Sequence, residues 1–165
     1  MANRPDIEVR RHLIVANQTL AGEQIPRVVA ERVAAGPSTF HLLVPATRSS
    51  ETQRMMAGAA DPISGFNVAG AGELAEAQER DRAAAGERLA TFTNRLASHA
   101  EVLTSEVGGH DPFAAISEVM EDSSFDEIII STLPGSVSRW LKMDLPSRVE
   151  RTFAVPVVVI NPPSD

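Results

Sequence analysis

Five short apolar runs separated by helical patterns limit most strongly how this chain can fold. Four of them are apolar without alternation, which is typical of parallel strands buried on both faces, and the third along the chain is weaker. The runs span residues 12–17 (HLIVAN), 39–46 (TFHLLVPA), 101–108 (EVLTSEVG), 126–132 (DEIIIST) and 156–162 (PVVVINP). Parallel strands need covering crossovers, so the sequence predicts an α/β fold.

The segments between these runs have helical spacing. A helix is predicted to start near Pro26 and to stop at Gly36-Pro37, and a second helical pattern spans 73–100. Asp111 suits an N-cap position and Pro112 the first position of a helix before the fourth strand. The prediction is a doubly wound, five-stranded parallel sheet of order 3-2-1-4-5 with helices on both faces.

Residues 47–72 are polar, rich in small residues and without a clear period. This stretch is too long for an ordinary connection, so we expect a long flexible loop, either a flap over a site or a partly disordered segment. With no internal repeat and no linker, residues 1–165 are predicted to form one domain.

Charge and composition exclude several classes of function. The formal net charge is −7, which disfavours nucleic acid and anionic membranes as partners. There is no cysteine, so thiol catalysis, disulfides and thiolate metal sites are excluded. The amino-terminal residues suit neither a signal-peptide core nor a membrane span, and we expect a cytoplasmic protein.

The candidate ligand site lies at the loops after the first and fourth strands, because ligands of such sheets collect beyond the carboxyl ends of the strands. Hydroxyl, amide and backbone groups there precede a predicted helix start, where helix polarity favours an anion. The same residues also suit a plain turn and a capped helix. The candidate ligand residues are Asn17, Thr19, Ser131, Thr132, Gly135, Ser136, Ser138 and Arg139.

The order of elements, and above all the stretch DEIIISTLPGSVSRWLKMDLPSRVERTFAVPVVVI, resembles a universal stress protein domain. In that family a glycine-patterned loop after the fourth strand holds the phosphates of ATP. The corresponding positions here are Ile130, Leu133, Met143 and Asp144, and the nearby Gly135 does not restore the pattern. The resemblance therefore implies the family's fold with a degenerate ATP site, and we expect no cofactor.

Three functions remain open from the sequence. The first is a non-catalytic universal-stress-like module for regulation or interaction in a stress response. The second is a binder of a nucleotide such as ATP or AMP, or of another anion, through the loops after strands 1 and 4. The third is a small-molecule hydrolase of the same fold group, adenine nucleotide alpha hydrolase-like. No catalytic residue and no metal site are predicted, because no histidine shares a local motif with a carboxylate.

The last strand is predicted to form a homodimer interface. It carries no charge and would lie at an open sheet edge, which proteins normally guard or pair. Universal stress proteins commonly dimerise in this way, and a protein partner would suit a regulatory role. The predicted interface residues are Val155, Val157, Val158, Val159 and Ile160.

Overall fold

The structure is a computed structural model, and it describes residues 8–16, 22–59, 68–100, 102–132 and 144–161. The described strands alternate with helices along the chain, apart from two consecutive helices between the second and third strands. In order they are β1 (Arg10–Val15), α1 (Gln24–Ala35), β2 (Ser38–Pro45), α2 (Ser50–Ala59), α3 (Val68–Leu96), β3 (Val102–Gly108), α4 (Pro112–Asp122), β4 (Glu127–Ser131), α5 (Leu145–Phe153) and β5 (Val157–Ile160).

The five strands form one parallel sheet of order β3-β2-β1-β4-β5. Strand β1 is central: His12 stands opposite Phe40 of β2 on one side and opposite Glu127 of β4 on the other. The predicted class, strand order and parallel pairing are confirmed. The apolar runs of β1, β2 and β4 are continuous because these inner strands are buried on both faces, whereas Thr104, Ser105 and Glu106 of the edge strand β3 are exposed.

Two hydrophobic layers cover the two faces of the sheet. On one face α1 and α3 supply Ile25, Val29, Phe92 and Leu96, which pack with alternate residues of the strands such as Ile14. On the other face α4 and α5 pack against the intervening residues, including Leu13, Leu43, Ile128 and Ile130. The predicted helices on both faces are therefore confirmed. Because the strands are parallel, their amino ends form one rim of the sheet, the amino rim, and their carboxyl ends form the other, the carboxyl rim.

The helix α4 starts as its sequence predicts. The side chain of Asp111 accepts a hydrogen bond from the Ala114 amide at 3.0 Å, and Pro112 occupies the first turn. The predicted start of α1 near Pro26 agrees with an observed start at Gln24, because proline is tolerated in a first turn that has no amide partner to lose.

The prediction of a long loop over 47–72 is wrong for most of the described residues in this range. Helix α2 occupies Ser50–Ala59 and α3 already begins at Val68, while 60–67 lie outside the described residues. The Ser49 hydroxyl oxygen accepts the Thr52 amide at 3.2 Å and thereby caps α2. Alanines and glycines blur the helical period here, so the pattern hid both helices.

Helix α3 also ends earlier than the pattern predicts, at Leu96 rather than near Ala100. Residues 97–99 form a turn in which the His99 amide donates to the Leu96 carbonyl at 2.8 Å. Among the described helices, none combines the length and the apolar character that a membrane crossing requires.

Candidate functional site

The point at which strand order reverses lies between β1 and β4. Chain connections from β1 lead towards β2 on one side, and β4 lies on the other side with β5 beyond it. In sheets with this strand order, ligands collect at this point, beyond the carboxyl ends of β1 and β4. Residues 17–21 and 133–143, which follow these strands, lie outside the described parts of the chain. This is where the sequence predicts a ligand.

Two of the predicted ligand residues are described there, Ser131 and Thr132, and both are buried. The Thr132 hydroxyl donates to Oδ1 of Asn161 at 2.6 Å, and the Thr132 amide donates to the Ile160 carbonyl at 3.0 Å. The hydroxyl proton of Thr132 is thus already used to join β4 to the residue that follows β5.

The remaining predicted ligand residues lie outside the described parts of the chain. They are Asn17, Thr19, Gly135, Ser136, Ser138 and Arg139. Asn161, in contrast, was not predicted. Its only sequence signal is its position directly after the last strand, which becomes informative once β5 is known to lie beside β4.

Arg48, just after β2 at the same rim, was also not predicted. Its side chain is half-buried, and the buried Nε has no hydrogen-bond partner within the structure as described. An enclosed guanidinium nitrogen without a partner is unfavourable, because burial of a polar group costs free energy unless the group is hydrogen-bonded. Arg48 thus places a cationic group with an unpartnered Nε close to the end of β2, among the residues that the structure describes.

Asp81 of α3 fixes the segment that follows Arg48. Its Oδ2 accepts from the Thr52 hydroxyl at 2.7 Å and from the Ser49 amide at 3.1 Å. Burial pushes the pKa of Asp81 upward, but the hydrogen bonds from Thr52 and Ser49 outweigh it, so the pKa lies below its ordinary value. Asp81 is an ionised carboxylate that holds the start of α2 against α3.

A second polar cluster lies at the opposite, amino rim of the sheet, and we call it the rim cluster: His12, Arg32 and Glu127. Nδ1 of His12 is 2.9 Å from Oε2 of Glu127, and Arg32 donates to both oxygens of Glu127 at 2.8 and 2.9 Å. The His12 ring is 2% exposed and stacks on Phe40. Its buried Nε2 has no hydrogen-bond partner among the described residues.

The charges of the rim cluster support one another. Burial pushes the pKa of Glu127 upward, but the hydrogen bond and charge of Arg32, followed by those of His12, bring it below its ordinary value. The hydrogen bond to Glu127 in turn raises the pKa of Arg32. A bidentate pair of this kind fixes geometry, and we assign the cluster to joining α1, β1 and β4.

His41 belongs to a third polar group, on the sheet face that carries α4. Nδ1 of His41 is 2.7 Å from the Thr104 hydroxyl oxygen and Nε2 is 2.8 Å from Oε1 of Glu106. His41 stands directly opposite Thr104 in the pairing of β2 with β3, so strand register creates the contacts. The sequence could not reveal this group, because its residues are more than sixty positions apart.

The predicted interface strand β5 lies at an edge of the sheet and pairs with β4. Val155, Val157, Val158 and Val159 are half-buried, whereas Ile160 is buried. Its role as a dimer interface stays a prediction. Across the described ranges, no three histidine or carboxylate side chains converge into a set that could hold a metal ion.

No family model matches this sequence, and no curated protein matches it either. Two solved structures are similar over almost the whole chain. A universal stress protein in complex with cAMP is 14% identical with a TM-score of 0.53, covering 91% of this chain and 96% of that chain. The hypothetical protein PH0823 is 17% identical with a TM-score of 0.53, covering 94% and 97%. The chain thus has the universal-stress-protein fold, as the sequence resemblance implies.

Proposed function

We propose that this chain is a non-catalytic, dimeric module of universal-stress-protein fold that serves regulation in the cytoplasmic stress response. The universal-stress-protein fold supports the assignment to this class of module. The sequence after β4 supports the absence of the ATP site that is typical of universal stress proteins. Gly135 is the only glycine between Ile129 and Ile160. A backbone that must approach phosphates closely needs glycine at several positions.

The observation that carries this proposal is the degenerate sequence at the carboxyl rim of β4. Asp144, which stands at the last position of the family's motif, would place a negative charge beside the phosphates. At the same rim, Thr132 is buried and its hydroxyl donates to Asn161. The Thr132 amide also donates, to the Ile160 carbonyl, so the hydroxyl and the amide of this residue are both engaged within the protein.

Calorimetric titration of the purified protein with ATP and magnesium tests the degenerate site. We expect weak binding or none, because the phosphate loop lacks its glycines. A dissociation constant in the low micromolar range contradicts the proposal. Hydrolysis assays on the same samples test the non-catalytic part, and ATP turnover that survives repurification would contradict it.

The dimer is tested separately, at the two opposite edges of the sheet. Val159 on β5 is half-buried and belongs to neither hydrophobic layer, so Val159→Lys places a charge at the proposed interface with little cost to the core. Ser105→Lys on β3 is the matched control, since Ser105 is exposed at the other edge. Sedimentation equilibrium should show a dimer for the wild type and for Ser105→Lys, and a monomer for Val159→Lys.

A second candidate function is the binding of a smaller nucleotide or another anion at the same rim. Two observations favour it: one structurally similar protein is in complex with cAMP, and the enclosed Nε of Arg48 has no hydrogen-bond partner in the described ranges. Titration with cAMP and AMP tests it, with Arg48→Gln expected to weaken any binding. Affinity that is equal in the wild type and Arg48→Gln would place the anion elsewhere.

A further inference from the structure

Among the described arginines, those with half-buried side chains fall into two kinds. Arg32 and Arg95 each donate to a glutamate at 2.8 Å. Arg48 and Arg88 form no ion pair within the described parts of the chain, and the Nε of each is enclosed without a hydrogen-bond partner there. Enclosing a charged group without a partner costs free energy. We call Arg48 and Arg88 the arginine pair.

Arg88 lies in the middle of a stripe on α3 whose two ends contact other helix starts. Asp81, Arg88 and Arg95 follow one another at intervals of seven residues, which returns a helix to almost the same face. Asp81 accepts a hydrogen bond from the Ser49 amide just before α2, and Arg95 donates to Glu23 just before α1. Arg88 therefore lies on the side of α3 that faces the starts of α2 and α1.

Arg48 approaches the same region from the sheet. It stands directly before Ser49, whose amide donates to Asp81 on α3. The seven residues from Asp81 to Arg88 advance the helix by about 10 Å, a separation that two arginine side chains can close onto one small anion between them. Helices α1 and α2 follow the carboxyl ends of β1 and β2, so the arginine pair belongs to the carboxyl rim.

The acidic groups of this region are already engaged. Oδ2 of Asp81 accepts from the Thr52 hydroxyl at 2.7 Å and from the Ser49 amide at 3.1 Å. Glu51, in the first turn of α2, pairs with Arg80 at 3.6 Å. Counted with the arginine pair, these charged side chains carry one net positive charge, in a protein whose formal net charge is −7. A local excess of positive charge without partners indicates an anionic ligand.

We propose that the arginine pair holds the phosphate of a phosphomonoester, such as that of AMP. A phosphomonoester carries about two negative charges at neutral pH and offers three terminal oxygens. Guanidinium groups match such oxygens in forked, charge-assisted hydrogen bonds. A cyclic phosphodiester such as cAMP carries one charge and suits the pair less well. The inference rests on the second candidate function, anion binding at the carboxyl rim, and adds to it a second cation and the charge of the ligand.

The test is calorimetric titration of AMP, cAMP and inorganic phosphate into the wild type and single variants at low ionic strength, where charge interactions are least screened. Arg88→Gln removes one member of the arginine pair, and Arg48→Gln removes the other. Arg82→Gln is the matched control, because Arg82 is exposed on the same helix and its loss changes the net charge equally. Circular dichroism melting checks that all variants stay folded.

We expect AMP to bind the wild type about tenfold more tightly than cAMP, as one additional charge-assisted pair implies. Arg88→Gln should weaken AMP binding about tenfold and remove the preference over cAMP, whereas Arg82→Gln should change neither. If Arg48→Gln weakens binding and Arg88→Gln does not, anion binding at the rim stands and the arginine pair is wrong. If none of the three anions binds the wild type, the candidate function fails and the inference with it.

Two further outcomes of the titrations would overturn the proposal. Weakening by Arg82→Gln as large as that by Arg88→Gln would show diffuse attraction rather than a site. Inorganic phosphate that binds as tightly as AMP would contradict the assignment to an ester.

An independent measurement needs no ligand. Arg88→Met keeps the apolar stem of the side chain and removes the unpartnered guanidinium, so the melting temperature without anions should equal or exceed that of the wild type. Arg95→Met removes the guanidinium that donates to Glu23 and should lower it. An equal fall in both variants would show that the guanidinium of Arg88 has a partner in the folded protein, and the proposal would be wrong.

Discussion

The two rims of the parallel sheet are held in different ways. At the amino rim, ion pairs and hydrogen bonds between side chains join α1, β1 and β4 through Arg32, His12 and Glu127. At the carboxyl rim, single bonds join neighbouring strands, such as the Thr132 hydroxyl to Asn161 and the Ala46 amide to the Gly108 carbonyl. There the buried Nε of Arg48 has no hydrogen-bond partner among the described residues.

This difference suggests that the amino rim contributes mainly to stability and the carboxyl rim mainly to ligand binding. The carboxylate of Glu127 is held by Arg32 and His12 and has little to gain from a ligand, whereas an enclosed and unpaired cationic group such as the Nε of Arg48 can gain a partner. The amino rim also has an unpaired atom, Nε2 of His12, but that ring is 2% exposed and stacks on Phe40, so a ligand has little access to it. The amino rim should therefore be the more sensitive to loss of a side chain, and the carboxyl rim the more responsive to added anions. Four substitutions test this contrast, each measured by chemical denaturation.

The largest loss is expected for Glu127→Gln at the amino rim. Glutamine keeps the shape but not the charge, so Arg32 loses its bidentate partner in a mostly buried site. We expect the free energy of unfolding to fall by about 3 kcal/mol, at the low end for a broken buried ion pair because Arg32 remains partly exposed. Glu87→Gln on the exposed face of α3 should change it by less than about 0.5 kcal/mol.

Acid titration gives an independent check on the same pair. The pKa of Glu127 lies below its ordinary value of 4.5, so its contribution is present above the unfolded-state pKa. It is lost as the pH falls through 4.5 and on through the lower folded-state value. Glu127→Gln should lack this part of the acid dependence. If the unfolding free energy fell equally in both proteins across this window, Glu127 would not be a source of the acid dependence.

Gly108→Ala should cause the largest loss at the carboxyl rim. The new Cβ would stand 2.7 Å from the Cβ of Ala115 and 2.9 Å from Cδ1 of Leu43, so α4 would have to move. Overpacking of this kind costs about 2 kcal/mol. Gly109→Ala is the matched control, because a Cβ there meets nothing within 4 Å. If the two variants were equally stable, α4 would not be held as closely to β3 as the structure has it.

The fold was predictable because its determinants are local in sequence. Strands buried on both faces leave continuous apolar runs, and Asp111-Pro112 marks a helix start without help from distant residues. The segment 47–72 was mispredicted because alanines and glycines blur its helical period, and because the start of α2 is also held by Asp81, whose carboxylate accepts the Thr52 hydroxyl from 29 residues away. A distant partner leaves no trace in a local pattern.

The polar groups were less predictable than the strands, for a related reason. The predicted strand order already places β1 beside β4, which brings His12 and Glu127 together. The contribution of Arg32 depends on how α1 lies across the sheet, and that is set by packing. Ser131 and Thr132 were correctly placed at the carboxyl rim, but the bond from Thr132 to Asn161 required knowledge of where β5 ends.

Thr132→Val tests whether the carboxyl rim is held as weakly as the contrast implies. Valine keeps the shape of the buried side chain and removes the hydrogen bond to Asn161, so the expected loss is about 1 kcal/mol. Thr152→Val, exposed on α5, should be close to neutral. A loss as large as that of Glu127→Gln would show that the two rims are equally tightly held, and the contrast would fail.

Ala154→Gly is expected to have the smallest effect and the opposite sign. Ala154 caps α5 where the chain returns to the amino rim, and its φ of 52° and ψ of 36° lie in the left-handed region. An alanine pays about 1 kcal/mol or more for this conformation, and glycine does not. Part of that gain is offset because glycine is more flexible when unfolded, so we expect a net stabilisation of about 0.5 kcal/mol. Ala90→Gly in the exposed interior of α3 should instead destabilise by about 1 kcal/mol. If both variants were destabilised alike, Ala154 would carry no strain, and the chain would enter β5 at the amino rim in a relaxed conformation.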